Sequence, residues 1–152
     1  MLLVKTMRFQ GKTFSCYPGP YFYGRSDEHR RGGHTVWWLT ADVVWVTKYR
    51  YHVLTGDVQR RFRDLIKQIC DAEAVRILKG VVSKGHVHMH MHIEYAPSKS
   101  NSDLLKRLKG RTSRRLQEAY PLLREKYWGR HFWAIGYGVW STGNITDEMG
   151  QQ

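Results

Sequence analysis

The chain has 152 residues, 41% hydrophobic and 13% aromatic, with 25 Lys+Arg against 13 Asp+Glu for a formal net charge of +12. That length suits one self-sufficient core, and the apolar and aromatic content excludes a disordered chain. The longest apolar runs, such as Val43-Val44-Trp45-Val46, fall far short of the roughly 20 residues that span a bilayer, and Cys16 and Cys70 lack the spacing of a disulfide framework or a structural metal site. The charge excess predicts a polyanionic partner, nucleic acid ahead of an anionic membrane, and the cysteine usage a reducing, cytoplasmic compartment.

Residues 1–33 read as a flexible or loosely packed leader. Pro18-Gly19-Pro20 and the polar run from Arg25 to Gly33 are turn formers and solvated charges. From Thr35 the pattern changes. Val36-Trp37-Trp38-Leu39 and Val43-Val44-Trp45-Val46-Thr47 are β-branched and aromatic, and predict one long strand. Its apolar character marks it as an edge that could pair with a second chain. A helix follows from about Gly56 to Asp71, with Phe62, Leu65, Ile66 and Ile69 on one face and Arg60, Arg61, Arg63 and Lys67 on the other.

Val75 to Ser83 and His86 to Tyr95 read as two strands around a hairpin turn at Ser83-Lys84-Gly85. A second helix is predicted from about Asp103 to Tyr120, lined by Leu104, Leu105, Leu108, Thr112 and Leu116 and broken by Pro121. Ala134 to Ser141 is a fourth strand. Gly143-Asn144 then turns the chain, and a third helix starts near Thr146. Strand, helix, strand, strand, helix, strand is the βαββαβ order of an α+β, ferredoxin-like split βαβ fold. Its antiparallel sheet carries helices on one face.

The most informative residues are His86, His88, His90 and His92, which alternate with Val87, Met89 and Met91. Strand alternation puts every imidazole on one face and the apolar residues on the other, with neighbouring histidines about 7 Å apart. The row is roughly 20 Å long, so two histidines can share one ion and four cannot. Two imidazoles with a substrate oxygen suit Mn²⁺ or Mg²⁺, although imidazole alone favours zinc or nickel. A row of neutral histidines with a purely structural role is the plainer alternative.

A His-hydrophobic-His strand after a hairpin resembles the HUH motif of the IS200/IS605-type single-tyrosine transposases. The resemblance extends in order through residues 46–50 (VTKYR), 78–84 (LKGVVSK), 108–116 (LKGRTSRRL), 127–134 (YWGRHFWA) and 141–148 (STGNITDE), all within about 34–149. It implies that 34–152 is a transposase domain lacking the end of its last helix. It also implies a homodimer that binds single-stranded DNA hairpins at transposon ends and cuts and rejoins one strand through a 5′-phosphotyrosine. The implied cofactor is a divalent metal, Mg²⁺ or Mn²⁺, and no nucleotide cofactor or membrane is involved.

This chain carries an additional Met-His step relative to the family strand. Counting from the hairpin makes the metal ligands His86 and His88; counting from Tyr95 makes them His88 and His90. The first is preferred, because the loop before the second helix absorbs two residues more easily than the tight Lys84-Gly85 turn. The family's nucleophilic tyrosine aligns past Gln152, so no catalytic residue is visible. Tyr95, Tyr120, Tyr127 and Tyr137 are weak substitutes.

Lys106, Arg107, Lys109, Arg111, Arg114 and Arg115 form the candidate DNA-binding stripe on the second helix, with no acid between Lys106 and Arg115. Trp128, His131, Phe132 and Trp133 are candidates for base stacking or, for the tryptophans, core packing. The alternative to a transposase is a catalytically inactive truncated copy that only binds DNA hairpins. An RNA-binding module of the same shape ranks last, because the histidine row occupies the face such a module would need.

Overall fold

A computed structural model describes residues 5–9, 12–16, 30–31, 36–37, 39–83, 87–127, 129 and 131–142. Near the N-terminus, in the stretch expected to be flexible or loosely packed, β1 (Lys5–Phe9) and β2 (Lys12–Cys16) pair antiparallel. The expected long first strand is divided between two sheets. β4 (Val36–Trp37) pairs with β3 (Arg30–Arg31), whereas β5 (Leu39–Val46) belongs to the main sheet.

α1 (Gly56–Ala72), β6 (Arg76–Val82), β7 (His88–Tyr95), α2 (Asn101–Ala119), α3 (Pro121–Lys126) and β8 (Gly138–Thr142) follow. The main sheet runs β6-β7-β5-β8, and each neighbouring pair is antiparallel. This is the strand order of the split βαβ arrangement predicted from the element sequence. One expectation is overturned: β5 is hydrogen-bonded on both sides, to β7 and β8, so it offers no edge. β6 and β8 are the outer strands of this sheet.

The helices lie on one face. Ala41, Val43 and Trp45 of β5 and Met89, Met91 and Ile93 of β7 form a core with Phe62, Leu65, Ile66 and Ile69 of α1. Leu104, Leu105, Leu108 and Leu116 of α2 complete it, as the 3-4 spacing predicted. Trp45 meets Trp133 and Phe62 edge-on, with ring centroids 5.9 and 6.4 Å away. Cys70 lies inside this core, and burial pushes its thiol pKa up to about 12, which leaves it protonated and unreactive.

Pro121 does more than end α2. It opens α3 at the first turn, where its fixed φ fits and its missing N–H costs nothing. After β5, a short 3₁₀ turn over Lys48–Arg50 contains two consecutive left-handed residues, Tyr49 (φ 59°) and Arg50 (φ 53°). Such conformations cost a side chain-bearing residue roughly 1–2 kcal/mol each.

Two polar contacts lock the helices in place. The Trp133 indole N–H donates to Thr112 Oγ1 at 3.0 Å, and that hydroxyl donates to the Leu108 carbonyl at 2.6 Å. Glu73, just past α1, accepts from Arg107 of α2 and lies 3.7 Å from Lys99. The Arg107 bond holds its carboxyl below the usual carboxylate range.

Thr112→Val should strand the buried indole N–H and cost about 1–3 kcal/mol in urea unfolding, with Thr112→Ser far milder. Glu73 has a lower pKa folded than unfolded, so its stabilisation is complete above the ordinary carboxylate range and is lost as the pH falls through the lowered value. Wild type should therefore melt above Glu73→Gln at neutral pH, and thermal scans should show the gap closing below about pH 4.

Candidate functional site

The pleat of β7 sorts its residues as the alternation predicted. Met89, Met91 and Ile93 are at most 1% exposed on the helix side, and His88, His90 and His92 take the opposite face. His86 lies outside the described residues, as do Lys84 and Gly85 of the turn. Across the ladder His88, His90 and His92 stand opposite Val46, Val44 and Asp42 of β5.

His88 is buried, and its backbone is clamped. Ser83 Oγ accepts from the N–H groups of both Val87 and His88 at 3.3 Å, while the Ser83 N–H donates to the His88 carbonyl at 2.9 Å. One serine thus ties the end of β6 to the start of β7.

His90 and His92 share a partner that the sequence reading missed. Asp42 is 3% exposed, with its Oδ1 2.9 Å from His92 Nδ1 and 3.5 Å from His90 Nε2. A carboxylate buried at mid-strand needs such partners, because an isolated buried charge is expensive. The available signal was Asp42 itself, an acid interrupting an otherwise β-branched and aromatic strand with the parity of the histidine face. Glu94 continues the row, buried and 3.7 Å from Arg76 on β6. The Trp140 ring lies over Gly138 on the far side of Val44, so close that a Cβ there would collide with it.

Among the described residues, no group of three or more His, Cys, Asp or Glu side chains is placed to hold a metal ion. A two-imidazole set that includes His88 fits the donor chemistry of a site completed by substrate oxygens. The Asp42 contacts tie His90 and His92 into a separate cluster further along the strand.

The basic residues of α2 are divided. Lys109 Nζ donates to the carbonyls of Ala134 and Gly136 at 2.8 and 3.0 Å, tethering the approach to β8, and burial lowers its pKa. Arg107 is held by Glu73, and Arg114 and Arg115 lie 2.9 and 3.9 Å from Glu118. Lys106 and Arg111 are exposed. Arg111, Arg114 and Arg115 line an open groove of about 360 Å³ with Leu65, Gln68 and Ile69, between α1 and α2.

The aromatic candidates are also sorted. Phe132 and Trp133 are buried core residues, which rules out base stacking for both; His131 is exposed, and Trp128 lies outside the described residues. Tyr95, Tyr120 and Tyr137 pack against the helix-side core. Tyr127 is buried within it, and burial raises its phenol pKa, away from the phenolate a nucleophile needs. None of the four shares the histidine face.

No helix among the described residues is long and apolar enough to cross a membrane. The family model described as "Transposase IS200 like" matches residues 35–152. The chain is 32% identical over 112 residues to the ISDra2 transposase TnpA of Deinococcus radiodurans, covering 74% of this chain and 79% of that one. It is 33% identical over 116 residues to the transposase for insertion sequence element IS200 of Salmonella typhimurium, covering 76% and 75% of the two chains.

Among solved structures, one described as a transposase of Deinococcus radiodurans R1 superposes with a TM-score of 0.69 at 27% identity, covering 80% of this chain and 92% of that one. A REP-associated tyrosine transposase bound to a REP hairpin shares the fold, with a TM-score of 0.54 at 17% identity over 82% of this chain and 67% of that one. The clamped histidine strand thus sits in a fold and a sequence context that agree, and the chain belongs to the IS200-like transposase family.

Proposed function

We propose that this transposase binds single-stranded DNA hairpins at transposon ends and cuts and rejoins one strand through a 5′-phosphotyrosine. The observation that carries this reading is the histidine row on the face of the sheet opposite α1 and α2, starting at a residue whose backbone is clamped by Ser83. The hairpin-bound REP-associated transposase of the same fold supports the choice of DNA form.

His86 and His88 are the proposed ligands of a divalent ion, Mg²⁺ or Mn²⁺. The engagement of His90 and His92 by Asp42 favours this pair over His88 and His90. When bound, the ion supplies Lewis-acid polarisation of the scissile phosphate. The chain's own residues do the rest. Ser83 holds the His88 backbone in place.

Arg111, Arg114 and Arg115 offer exposed phosphate contacts on α2, joined by Lys106. Lys109 and Arg107 contribute mainly by holding the structure together. In cleavage a tyrosine oxygen bonds to phosphorus as the P–O3′ bond breaks. The departing 3′ oxygen gains a proton, and a later 3′-hydroxyl reverses the step. The nucleophile would come from a tyrosine other than the four packed on the helix side. A homodimer joined through its sheets would pair at β6 or β8.

The helix-side placement of those four tyrosines favours a second reading for residues 1–152 alone, a hairpin-binding platform without cleavage chemistry. Incubation with hairpin DNA and Mn²⁺, followed by a denaturing gel, separates the two. A covalent adduct lost in His88→Ala supports strand transfer, whereas hairpin binding without an adduct supports the platform. Equal affinity for hairpin and plain duplex DNA would sink both.

Manganese titration followed by electron paramagnetic resonance tests the ligand pair. His88→Ala should weaken binding by about tenfold or more, and His92→Ala by no more than about twofold. Raising the salt should weaken hairpin binding less steeply in Arg111→Gln than in wild type, by a slope change of about 1 in log-log units.

A further inference from the structure

We infer that the Lys48–Tyr51 turn is a binding site for one unpaired base of single-stranded DNA, with Tyr49 as the stacking surface. The inference rests on the reading that the substrate is single-stranded DNA, and it adds a contact with the strand next to the histidines. Tyr49 is a large aromatic residue left 58% exposed. It is also held in a left-handed conformation, as is Arg50, which residues with a Cβ avoid unless the surroundings impose it.

The surroundings do impose it. The Lys48 N–H donates to the Phe132 carbonyl at 2.9 Å, the Arg50 N–H to the Thr47 carbonyl at 3.2 Å, and the Thr47 hydroxyl to the Tyr51 carbonyl at 3.0 Å. The exposed ring is also backed by others. Tyr49 lies 5.4 Å from Tyr51, Tyr51 5.4 Å from Tyr127, and Tyr127 4.9 Å from Phe132, a ladder of tilted rings running into the core. A ring seated on such a ladder loses little freedom when a base stacks on it.

Charge and location identify the occupant. Lys48 Nζ sits 5.2 Å from the Tyr49 ring centroid, Lys126 Nζ 4.8 Å from that of Tyr51, and the Arg50 side chain is exposed beside them. An aromatic face among cations suits a base with its phosphate attached, which presents a π surface and a negative charge together. The turn also begins at the histidine end of the sheet. Val46 is paired with His88, and the Thr47 N–H donates to the Val87 carbonyl at 2.7 Å. A strand lying on Tyr49 is therefore held just where the chain passes to the first histidines.

Fluorescence anisotropy with three DNA probes tests this. The probes are a bare hairpin, the same hairpin with a single-stranded flank, and an unstructured oligonucleotide of equal length. Tyr49→Ala keeps a Cβ and hence the same backbone preference, so it removes only the ring. It should weaken the flanked hairpin and the unstructured strand by about tenfold and leave the bare hairpin unchanged, with Tyr49→Phe restoring affinity. A photo-cross-link from 5-iodouracil in the flank should map to Tyr49. Unchanged binding of the unstructured strand by Tyr49→Ala, or an equal loss on all three probes, overturns the proposal. Failure of the wild type to bind the bare hairpin counts against the hairpin reading alone, because the unstructured strand still reports on Tyr49.

Discussion

The two faces of β7 cannot be moved independently, and the rest of the molecule is arranged around that constraint. A strand repeats every two residues, so a slip of one position would drive three imidazoles into the helix-side core and expel Met89, Met91 and Ile93. Burial of those three side chains stabilises the native register by about 1.5–3 kcal/mol each, and the histidine row inherits that precision. The chemistry of one face is positioned by the packing of the other.

The face opposite α1 and α2 is not a wet surface. Asp42, Val44, Val46, His88 and Glu94 are all buried there, so the carboxylates need partners in their own layer. Asp42 finds them in His90 and His92, and Glu94 in Arg76. The same economy divides the cations of α2. A run of positives with no acid among them reads as a uniform binding stripe, yet Glu73 and Glu118 approach from outside the run. Lys109 turns to backbone carbonyls, and Arg107, Arg114 and Arg115 pair with those acids while staying at the surface.

Much of the fold was legible because it rests on periodicity. The apolar spacing of α1 and α2 and the alternation in β7 each encode a face directly. The less legible features depend on partners distant in sequence. Whether β5 is an edge or an interior strand is decided by β8, nearly a hundred residues later, and its apolar character suited both. Asp42 gained meaning only once His92 was opposite it. In β6 a bulge between Ile77 and Lys79 shifts the parity, so that Ile77 and then Gly80 and Val82 pair with the core-facing residues of β7. No strict alternation predicts that set. Pro121 was legible as a stop to α2, but its role in starting α3 depended on what followed.

The alternation of methionine and histidine in β7 makes demands on both faces of the sheet at once. Each Met-His pair places one side chain on each face. The methionine requires space in the core, and both Met89 and Met91 are buried there. The histidine requires an acceptor in a layer with little access to water, and Asp42 supplies one from the neighbouring strand. The strands are matched over their full length, from Leu39 opposite Tyr95 to Val46 opposite His88, with no bulge between them. The His92 imidazole and the buried Asp42 carboxylate are therefore parts of one arrangement. Removing either would leave a buried polar group in want of its partner, a larger cost than the lost bond itself.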